Sequence, residues 1–341
     1  MSGSYERQPK KRRFDNEDSN MATTTLKTLS RFRPTFPRDW TVSVAVPTSI
    51  ISDCVTKEQR TTYAGRVARA LAIFCVDEVV IYDDSPMDQR PANFDPDAYT
   101  GDIAPSHFLE HLLNYLETPP FMRKTLFPLH PNLRSQGLLP QLDMPHHPHK
   151  DEWLPYREGM TEGPAKNGKG TVVDIGMPEK VTIAESIPPR TRLTLKMPDD
   201  ERGTPEPVHP AAPRTDSGYY WGYTVRKAPS LSTVLTEGPY EDGYDLSIGT
   251  SERGLLLSRA FPEHKEADFK HLLVVFGGPR GLEYAAMNDP ELSSMSISGT
   301  RTKELFDHWV NVLPNQGSRS IRTDEAMLIG LAGLRRLWDT T

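Results

Sequence analysis

Three short apolar runs near the carboxyl end of the chain each lead directly into a polar turn that contains glycine. They lie in "YDLSIGTSERG", "HLLVVFGGPRG" and "WVNVLPNQGSR". Ligands of open parallel sheets bind beyond the carboxyl ends of the strands, and glycine lets a ligand approach the backbone closely. One such turn is more often only a turn. Three in succession favour a single pocket built from residues 249–254, 277–281 and 314–319.

The first apolar part of the chain predicts an α/β arrangement. "TVSVAVP" over Thr41–Pro47 is typical of a buried strand that stops at a proline. Thr56 and Gln59 then resemble a capping box, which begins a helix that continues to about Phe74. A second apolar run covers residues 77–84. Strand, helix and strand within about 40 residues indicate a right-handed parallel crossover, and therefore an α/β fold with a parallel sheet.

The middle of the chain has a different character. From about residue 129, proline, glycine and histidine are dense, and four short runs follow, "TVVDIGM", "KVTIAE", "TRLTLK" and "YYWGYTVRK". These runs predict the strands of a small β-barrel or sandwich. We therefore predict one α/β domain over residues 39–128 and 229–341, interrupted by a β-rich insertion over residues 129–228.

Residues 1–38 are predicted to form a disordered basic tail, because they lack periodic apolar spacing. The first 40 residues contain nine Lys and Arg against five Asp and Glu, although the net charge of the whole chain is −6. "KKRR" at residues 10–13 is consistent with a nuclear import signal or a nucleic-acid tether. An ordinary solvated tail is the alternative.

The insertion carries a pattern that suits single-stranded nucleic acid. Arg190, Arg192 and Lys196 alternate with apolar residues, while Tyr219, Trp221 and Tyr223 are predicted to share one face of a strand. Aromatic rings stack on bases and cations follow phosphates, so these positions predict an RNA-binding face. A packed barrel interior with a solvated outer face explains the same pattern equally well.

Other classes of site are not predicted. The chain has no apolar run of about 18 residues, so we expect no membrane span. "GGPRG" is not followed by the Lys and Ser or Thr of a phosphate-binding loop, and no G-x-S-x-G motif occurs. "PHHPHKDE" at residues 145–152 has no metal-ligand spacing, so no metal site is predicted. Asp83 and Asp84 are expected only to solvate a turn.

The last predicted helix contains two glycines that need an explanation. Thr323 is expected to cap this helix, with acidic residues in its first turn. Its predicted apolar face comprises Ala326, Ile329, Gly330, Gly333, Leu334 and Leu337. A glycine within a helix costs about 1 kcal/mol relative to alanine, so close approach of another backbone or of a second subunit is expected there.

"NVLPNQGSRSIRTDEAMLIGLAGL", together with "GTSERG" and "VVFGGPRGLE", resembles the SPOUT class of S-adenosylmethionine-dependent RNA methyltransferases, specifically a nuclear subfamily. The resemblance implies a parallel sheet whose carboxy-terminal part is tied in a deep trefoil knot, with a small inserted OB-like β-barrel. It also implies a homodimer that acts on RNA, expected to be ribosomal, in the nucleus or the nucleolus.

The same resemblance implies which residues bind S-adenosyl-L-methionine. They come from the three glycine-bearing loops and from the start of the last helix. By this pattern they are Thr250, Ser251, Gly277, Gly278, Leu313, Pro314, Asn315, Gln316, Gly317, Ser318, Ile321, Thr323 and Ala326.

Methyl transfer depends mainly on alignment of the nucleophile with the methyl group, so few catalytic groups are expected. Arg319 and Arg253 are predicted to orient the substrate, and Arg322 to contact RNA. No general base stands out, and the target atom stays open between a ribose oxygen, a base nitrogen and a base carbon. The alternatives are a non-catalytic RNA-binding or scaffold protein that keeps this fold and, less favoured, an enzyme that acts on a small molecule.

Overall fold

A six-stranded parallel sheet lies at the centre of the chain, and a smaller antiparallel sheet is inserted into it. The computed structural model describes residues 28–29, 34, 36–149, 152–165, 168–198, 203–262 and 268–338. The strands are β1 (Thr28–Leu29), β2 (Thr41–Pro47), β3 (Glu78–Tyr82), β4 (Glu152–Trp153), β5 (Tyr156–Pro164), β6 (Thr171–Asp174), β7 (Val181–Ile183), β8 (Arg192–Lys196), β9 (Glu206–Val208), β10 (Thr224–Ala228), β11 (Leu246–Leu256), β12 (His271–Val275) and β13 (His308–Asn311).

Helices cover both faces of the large sheet. They are α1 (Lys57–Ile73), α2 (Pro105–Glu117), α3 (Pro120–Leu126), α4 (Ala212–Ser217), α5 (Leu231–Thr236), α6 (Leu257–Ala260), α7 (Gly281–Met287), α8 (Pro290–Ser294) and α9 (Thr323–Leu334). Single turns of 3-10 helix occur at Thr48–Ile51, Met87–Gln89, Pro131–Leu133, Gln136–Leu138, Gly299–Leu305 and Arg335–Leu337.

The order of strands in the large sheet is β10-β3-β2-β12-β11-β13, and all neighbouring pairs are parallel. The predicted parallel α/β sheet is therefore confirmed. Strands buried on both faces read as continuous apolar runs, which is why "TVSVAVP" could be recognised. The predicted helix that begins after Thr56 is also found, and Thr56 accepts a hydrogen bond from the backbone N–H of Gln59.

Two apolar cores sandwich the sheet. One core joins α1, α2 and α9 to one face, through residues such as Val44, Leu71, Leu112 and Leu331. The other joins α5, α7 and α8 to the opposite face, and it includes Val275. Helix α9 therefore returns from the edge strand β13 to the layer that contains α1, and this return completes the site described below.

The insertion forms a five-stranded antiparallel sheet in the order β7-β6-β5-β8-β9. Its small core contains Val173, Ile175, Ile183 and Leu195. Among the residues that the structure describes, β7 and β9 are not paired with each other, so the two edges of this sheet remain open.

The interpretation of "YYWGYTVRK" as a strand of the insertion is wrong. Only its last part is a strand, and this strand, β10, pairs with β3 at the edge of the large sheet. The hydroxyl of Tyr220 donates to the carbonyl of Val76 and that of Tyr223 to Leu113, both buried. These tyrosines belong to the large core, where they cannot stack on bases.

Most of the predicted basic tail, including "KKRR", lies outside the described residues. Arg38, the last residue of this segment, is fixed to the large sheet. Its guanidinium donates two hydrogen bonds to the carboxylate of Asp77, at 2.7 and 2.6 Å. Further upstream, β1 pairs with β4. Within the described ranges, no helix combines the length and the apolar character that crossing a membrane requires.

Candidate active site

The three predicted loops arise from three neighbouring strands of the large sheet, β12, β11 and β13. The first loop does not end a strand, as the sequence suggested, but bulges out of β11. Val310 pairs with Thr250 and again with Leu255, so residues 251–254 leave the ladder between these two contacts. The side chain of Asn311 holds the bulge by donating to the carbonyl of Glu252 at 2.8 Å.

The second loop joins β12 to α7, and at two positions it packs too tightly for any residue other than glycine. A Cβ atom at Gly277 would lie 2.9 Å from the backbone of Gly281, and one at Gly278 would lie 2.1 Å from the Ser49 hydroxyl. The backbone of this loop therefore sits directly against its neighbours.

Thr323 connects the second loop to the third. Its hydroxyl donates to the carbonyl of Gly277 at 2.9 Å, across 46 positions of the chain. The expectation that Thr323 caps α9 is wrong, because Arg322 is the residue before the helix and Thr323 is its first residue. Glu325 instead accepts hydrogen bonds from the backbone N–H and the guanidinium of Arg322.

The third loop makes few bonds to the rest of the protein. Its start is fixed by the backbone N–H of Leu313, which donates to the Asn311 side chain at 3.0 Å. Asn315 adopts a left-handed conformation with φ of 57°. Residues 315–321 make no hydrogen bond or ion pair with any residue that the structure describes. Their backbone N–H and C=O groups are thus available to a ligand, and a Cβ atom at Gly317 would have free space around it.

The side chains predicted for the first loop are held by the protein to different degrees. The buried hydroxyl of Thr250 donates to the carbonyl of Val275 at 3.0 Å, so this group belongs to the sheet. The Ser251 hydroxyl donates to the Glu283 carboxylate at 3.4 Å, and the guanidinium of Arg253 lies 3.7 Å from the same carboxylate. The Arg253 side chain is 67% exposed. Its guanidinium is therefore largely open to solvent beside α7.

The remaining predicted residues near the loops differ in exposure. Arg319 is exposed and, like its loop, has no bond to another described residue. Arg322 is exposed but pairs with Glu325 at 2.9 Å. Ile321 and Ala326 are half-buried, and Ala326 packs against the large core.

Sequence reasoning missed a carboxylate that supports the second loop. Asp84 is only 2% exposed and is no solvated turn residue. Its carboxylate accepts from the hydroxyl of Ser49 at 2.5 Å and from the backbone N–H of Ser49 at 3.1 Å. Burial raises the pKa of Asp84, against the hydrogen bonds from Ser49. The residue fixes the loop after β2 against Gly278, an arrangement that follows from strand order and leaves no mark in the sequence.

The insertion is joined to the large sheet by a buried group of charges around Glu117, at the end of α2. Arg192 donates two hydrogen bonds to the Glu117 carboxylate, at 2.7 and 2.9 Å. A third bond from the same guanidinium reaches Glu158 at 2.6 Å. Burial alone would raise the pKa of Glu117, but the bonds from Arg192 and His146 outweigh it and hold this pKa well below its usual range. Arg192 is therefore engaged in ion pairs within the protein, although its side chain is 29% exposed, and its role in binding RNA stays a prediction.

Neighbouring side chains complete this junction. The indole N–H of Trp221 donates to Glu158 at 2.8 Å, so this ring is also part of the junction and no free stacking surface. His146 and His147 both donate from Nε2 to the carbonyl of Glu117, at 2.9 and 2.5 Å. His146 and His147 of "PHHPHKDE" thus have a structural role. Within the described ranges, no group of three or more potential metal ligands was found.

Two of the predicted RNA-binding residues stay accessible on the insertion. Arg190 is exposed at a tight turn, with φ of 63°, and Lys196 is exposed at the end of β8. Neither lies among the three loops, so a role for them requires an RNA long enough to reach both regions.

The two glycines of α9 are explained within this chain. A Cβ atom at Gly330 would lie 3.0 Å from Val312, and one at Gly333 would lie 2.5 Å from Leu257. The helix therefore packs closely on the edge of its own sheet. The predicted apolar face is wrong at Ile329, which is 37% exposed beside the equally exposed Leu328.

A family model described as "Putative RNA methyltransferase" matches residues 41–334. A 28S rRNA (uridine-N(3))-methyltransferase from Homo sapiens is 43% identical over 307 residues, which cover 87% of this chain and 78% of that protein. The Mus musculus protein of the same description is 42% identical, covering 87% and 77%. "Putative methyltransferase spot-1" from Caenorhabditis elegans is 32% identical, covering 86% and 80%.

Solved structures resemble the chain only weakly. The SpoU methyltransferase AviRb from Streptomyces viridochromogenes, in complex with AdoMet, gives a TM-score of 0.32 at 11% identity, covering 89% of this chain and 60% of that chain. A methylase family protein from Neisseria gonorrhoeae gives 0.33 at 9% identity, covering 91% and 89%. These TM-scores are too low to carry an argument.

Proposed function

Since this chain belongs to the family of RNA methyltransferases whose model spans residues 41–334, we propose that it transfers a methyl group from S-adenosylmethionine to N3 of a uridine in ribosomal RNA. The observation that carries the proposal is the third loop. Residues 315–321 offer their backbone polar groups to no described residue, directly beside the glycine loop that Thr323 joins to it.

The residues of the three loops fit the cofactor chemically. S-adenosylmethionine, when bound, supplies an electrophilic methyl group on a sulfonium. Gly277 and Gly278 let the second loop pack directly against Gly281 and Ser49, and the space around Gly317 leaves room for a ligand against the third loop. Unbonded N–H and C=O groups of residues 315–321 would hydrogen-bond the polar parts of the cofactor.

The SPOUT fold and its knot belong to the same proposal. We infer that the chain between β13 and α9 passes through the connection between β11 and β12. Gly333 packs against Leu257 in that connection, and Arg336 donates to the carbonyls of Leu257 and Phe261 at 2.7 and 2.9 Å. The backbone trace of a crystal structure tests this threading directly.

Relatives described as uridine-N(3)-methyltransferases support a base nitrogen as the target. Loss of the N3 proton leaves negative charge on the uracil ring, and a nearby cation lowers the energy of that state. Arg253 and Arg319 are the exposed cations of the first and third loops. We assign them to orienting the uracil and stabilising this charge.

The insertion is proposed to hold RNA as an OB-like, partly open barrel. Strand β5 pairs with both β6 and β8, and the sheet has five strands with an opening between β7 and β9. This pattern suits the OB fold, which is a partly open five-stranded barrel that binds oligonucleotides. Arg190 and Lys196 are the exposed cations assigned to RNA there.

Assembly and location are proposed with it. The exposed Leu328 and Ile329 on the outer side of α9 support a homodimer through this helix, which light scattering on the purified protein checks. "KKRR" supports a nuclear or nucleolar location, which imaging of a tagged protein with and without residues 10–13 checks.

Replacement of Gly317 by valine provides a sharp test of the cofactor site. The added side chain has space in the protein itself but would enter the volume assigned to the cofactor. We expect the affinity for S-adenosylhomocysteine, measured by calorimetry, to fall at least about tenfold. Gly137→Val is the matched control, because Gly137 also has open space and lies on a distant turn. Equal affinities of both variants would contradict the cofactor assignment.

Nucleoside mass spectrometry then separates an enzyme from an RNA-binding protein without activity. Ribosomal RNA from cells that lack the protein should lose N3-methyluridine. The mark should return with the natural chain, but not with Gly317→Val. Recovery with Gly317→Val would favour a non-catalytic role.

A further inference from the structure

A basic cavity of about 840 Å³ lies away from the three loops, between the end of α2, helix α3 and the segment that follows it. We define the basic cavity by Tyr115, Arg123, Lys124, Phe127, His130 and Arg134, which line it together with apolar residues and Gln136. This volume falls within the range of about 300–1,000 Å³ that is typical of ligand sites.

The lining of the basic cavity carries positive charge without a counter-charge. Arg123, Lys124 and Arg134 contribute three cations, and no Asp or Glu is among the lining residues. Lys124 and Arg134 are exposed, and neither forms a salt bridge with an acidic side chain that the structure describes, although Arg134 lies near enough to Glu58 to add to the hydrogen bonds that lower the pKa of that carboxyl. Unpaired cations around a concave surface concentrate anions there.

Arg123 shows that the cavity wall is fixed in place. Its guanidinium donates to the carbonyl of Thr118 at 2.8 Å and to that of Leu116 at 3.0 Å. It also lies 4.9 Å from the centre of the Tyr115 ring. The backbone of α2 and the side chain of Tyr115 thus hold Arg123 as a fixed part of the wall.

Planar rings stand beside these cations. Phe127 stacks on His111 with ring centres 5.7 Å apart and meets the Tyr115 ring edge-on at 5.5 Å. His130 is held by hydrogen bonds to Pro96 and Asn132. Rings that are fixed in this way lose little entropy when a base stacks on them.

The basic cavity also adjoins the insertion. Glu117, which binds Arg192 of the insertion, directly precedes the Thr118 that fixes Arg123. On the other side of α3, the ring of Phe121 packs against Gly176 of the insertion, where a Cβ atom would lie 2.7 Å from it. A chain that runs along the insertion can therefore continue into the cavity.

We propose that the basic cavity binds a single-stranded segment of the RNA substrate. Phosphates pair with Lys124 and Arg134, and a base stacks against the ring wall at Phe127. The proposal rests on the proposed RNA methyltransferase function and adds a second contact region, remote from the methyl-transfer loops. RNA explains both halves of the lining, whereas an acidic peptide would use the cations and leave the rings without a role.

The test uses the full chain and a fluorescent oligouridine of about ten nucleotides. Lys124→Glu with Arg134→Glu should weaken binding about tenfold or more, and should reduce the slope of log Kd against log salt by about 1.4, at about 0.7 per phosphate contact. Phe127→Leu keeps an apolar side chain but removes the ring, so it should weaken binding about fivefold at unchanged salt slope.

A charge-matched control is Lys270→Glu with Lys303→Glu. Both residues are exposed and precede strands of the large sheet, at the edge opposite the loops. We expect oligouridine affinity within about twofold of the natural chain. An equal loss in both double variants, or no loss in the cavity variant, would overturn the proposal. So would displacement of oligouridine from the cavity by polyglutamate of the same charge, which would indicate an acidic protein partner.

Failure of this inference and failure of the proposed function give different results. One outcome is that the chain binds oligouridine through the cavity and yet neither binds S-adenosylhomocysteine nor methylates RNA. That result would contradict only the proposed function. Unchanged RNA binding and methylation in the cavity variant would sink only the cavity.

Discussion

The junction around Glu117 and the third loop are both rich in polar groups, but the protein uses these groups in opposite ways. At the junction, Arg192 bonds to two carboxylates and each carboxylate has further donors. In the third loop, residues 315–321 bond to nothing that the structure describes. Buried polar groups that satisfy one another stabilise a fold, whereas exposed groups without partners are free to bind ligands. Charge in a sequence therefore identifies a binding site only after its internal partners are known.

The largest expected effect is a loss of stability when the ion pairs of the junction are removed. Arg192→Leu leaves Glu117 and Glu158 buried without their cation, which should lower the free energy of unfolding by roughly 3–5 kcal/mol. Urea denaturation measures this. Lys196→Leu is the control from the same strand, because Lys196 is exposed, and it should change stability by no more than about 0.5 kcal/mol. Similar stability of both variants would contradict the structural role of Arg192 and would favour its predicted role in RNA binding.

A smaller effect is expected at the hydrogen bond that joins the second and third loops. Thr323→Val leaves the carbonyl of Gly277 without its donor, so we expect a loss of about 1–2 kcal/mol in stability. The affinity for S-adenosylhomocysteine should fall as well, because the third loop loses its anchor. Thr323→Ser keeps the hydroxyl and should retain most of both. Loss of stability with full affinity would show that the anchor does not shape the pocket.

The smallest expected effect is a change in stability with pH that comes from His111, outside the junction. Burial, followed by the neighbouring His130 and His107, lowers the pKa of His111 from 6.5 to about 4. Between pH 6.5 and about 4 the unfolded chain therefore binds a proton at His111 that the folded chain does not bind. The contribution of His111 to the free energy of unfolding is thus fully present above pH 6.5 and is lost as the pH falls towards 4. The pKa of Glu117 lies far lower, so its ion pair survives this range.

We expect this histidine to account for about 1 kcal/mol of stability between pH 6.5 and 4, because the imidazole is only half-buried. Thermal unfolding of the natural chain and of His111→Gln across this range measures the difference. An unchanged dependence on pH in the variant would assign the acid sensitivity to other groups, such as His147 at the junction, whose pKa burial and His146 hold well below its ordinary value.

Local patterns in the sequence were sufficient for the parallel sheet, because strands buried on both faces and capped helices leave apolar runs and capping residues. The positions of the second and third loops could be predicted for the same reason. The first loop was misplaced because a bulge within β11 looks like the end of a strand. The strand β10 was assigned to the insertion, since nothing local indicates that it pairs with β3 across 146 residues of chain.

The site residues also differ in whether the local sequence indicates their role. The turns that contain Gly277 and Gly317 could be located because glycine itself is the signal, and their role in binding the cofactor stays a prediction. Arg192, Trp221 and Asp84 could not be interpreted, because their roles depend on partners far away in sequence. Their residue types indicate charge or aromaticity but not whether the partner is Glu117, Glu158 or a ligand.

The bond between Thr323 and Gly277 also has a consequence for biosynthesis. Gly277 leaves the ribosome 46 residues before Thr323, and domains fold as their chain emerges. The large sheet up to β12 can therefore assemble while the third loop and α9 are still being translated. The pocket is therefore completed only after the strands up to β12 have been translated, so the nascent chain can form this part of its fold before it can bind a ligand there.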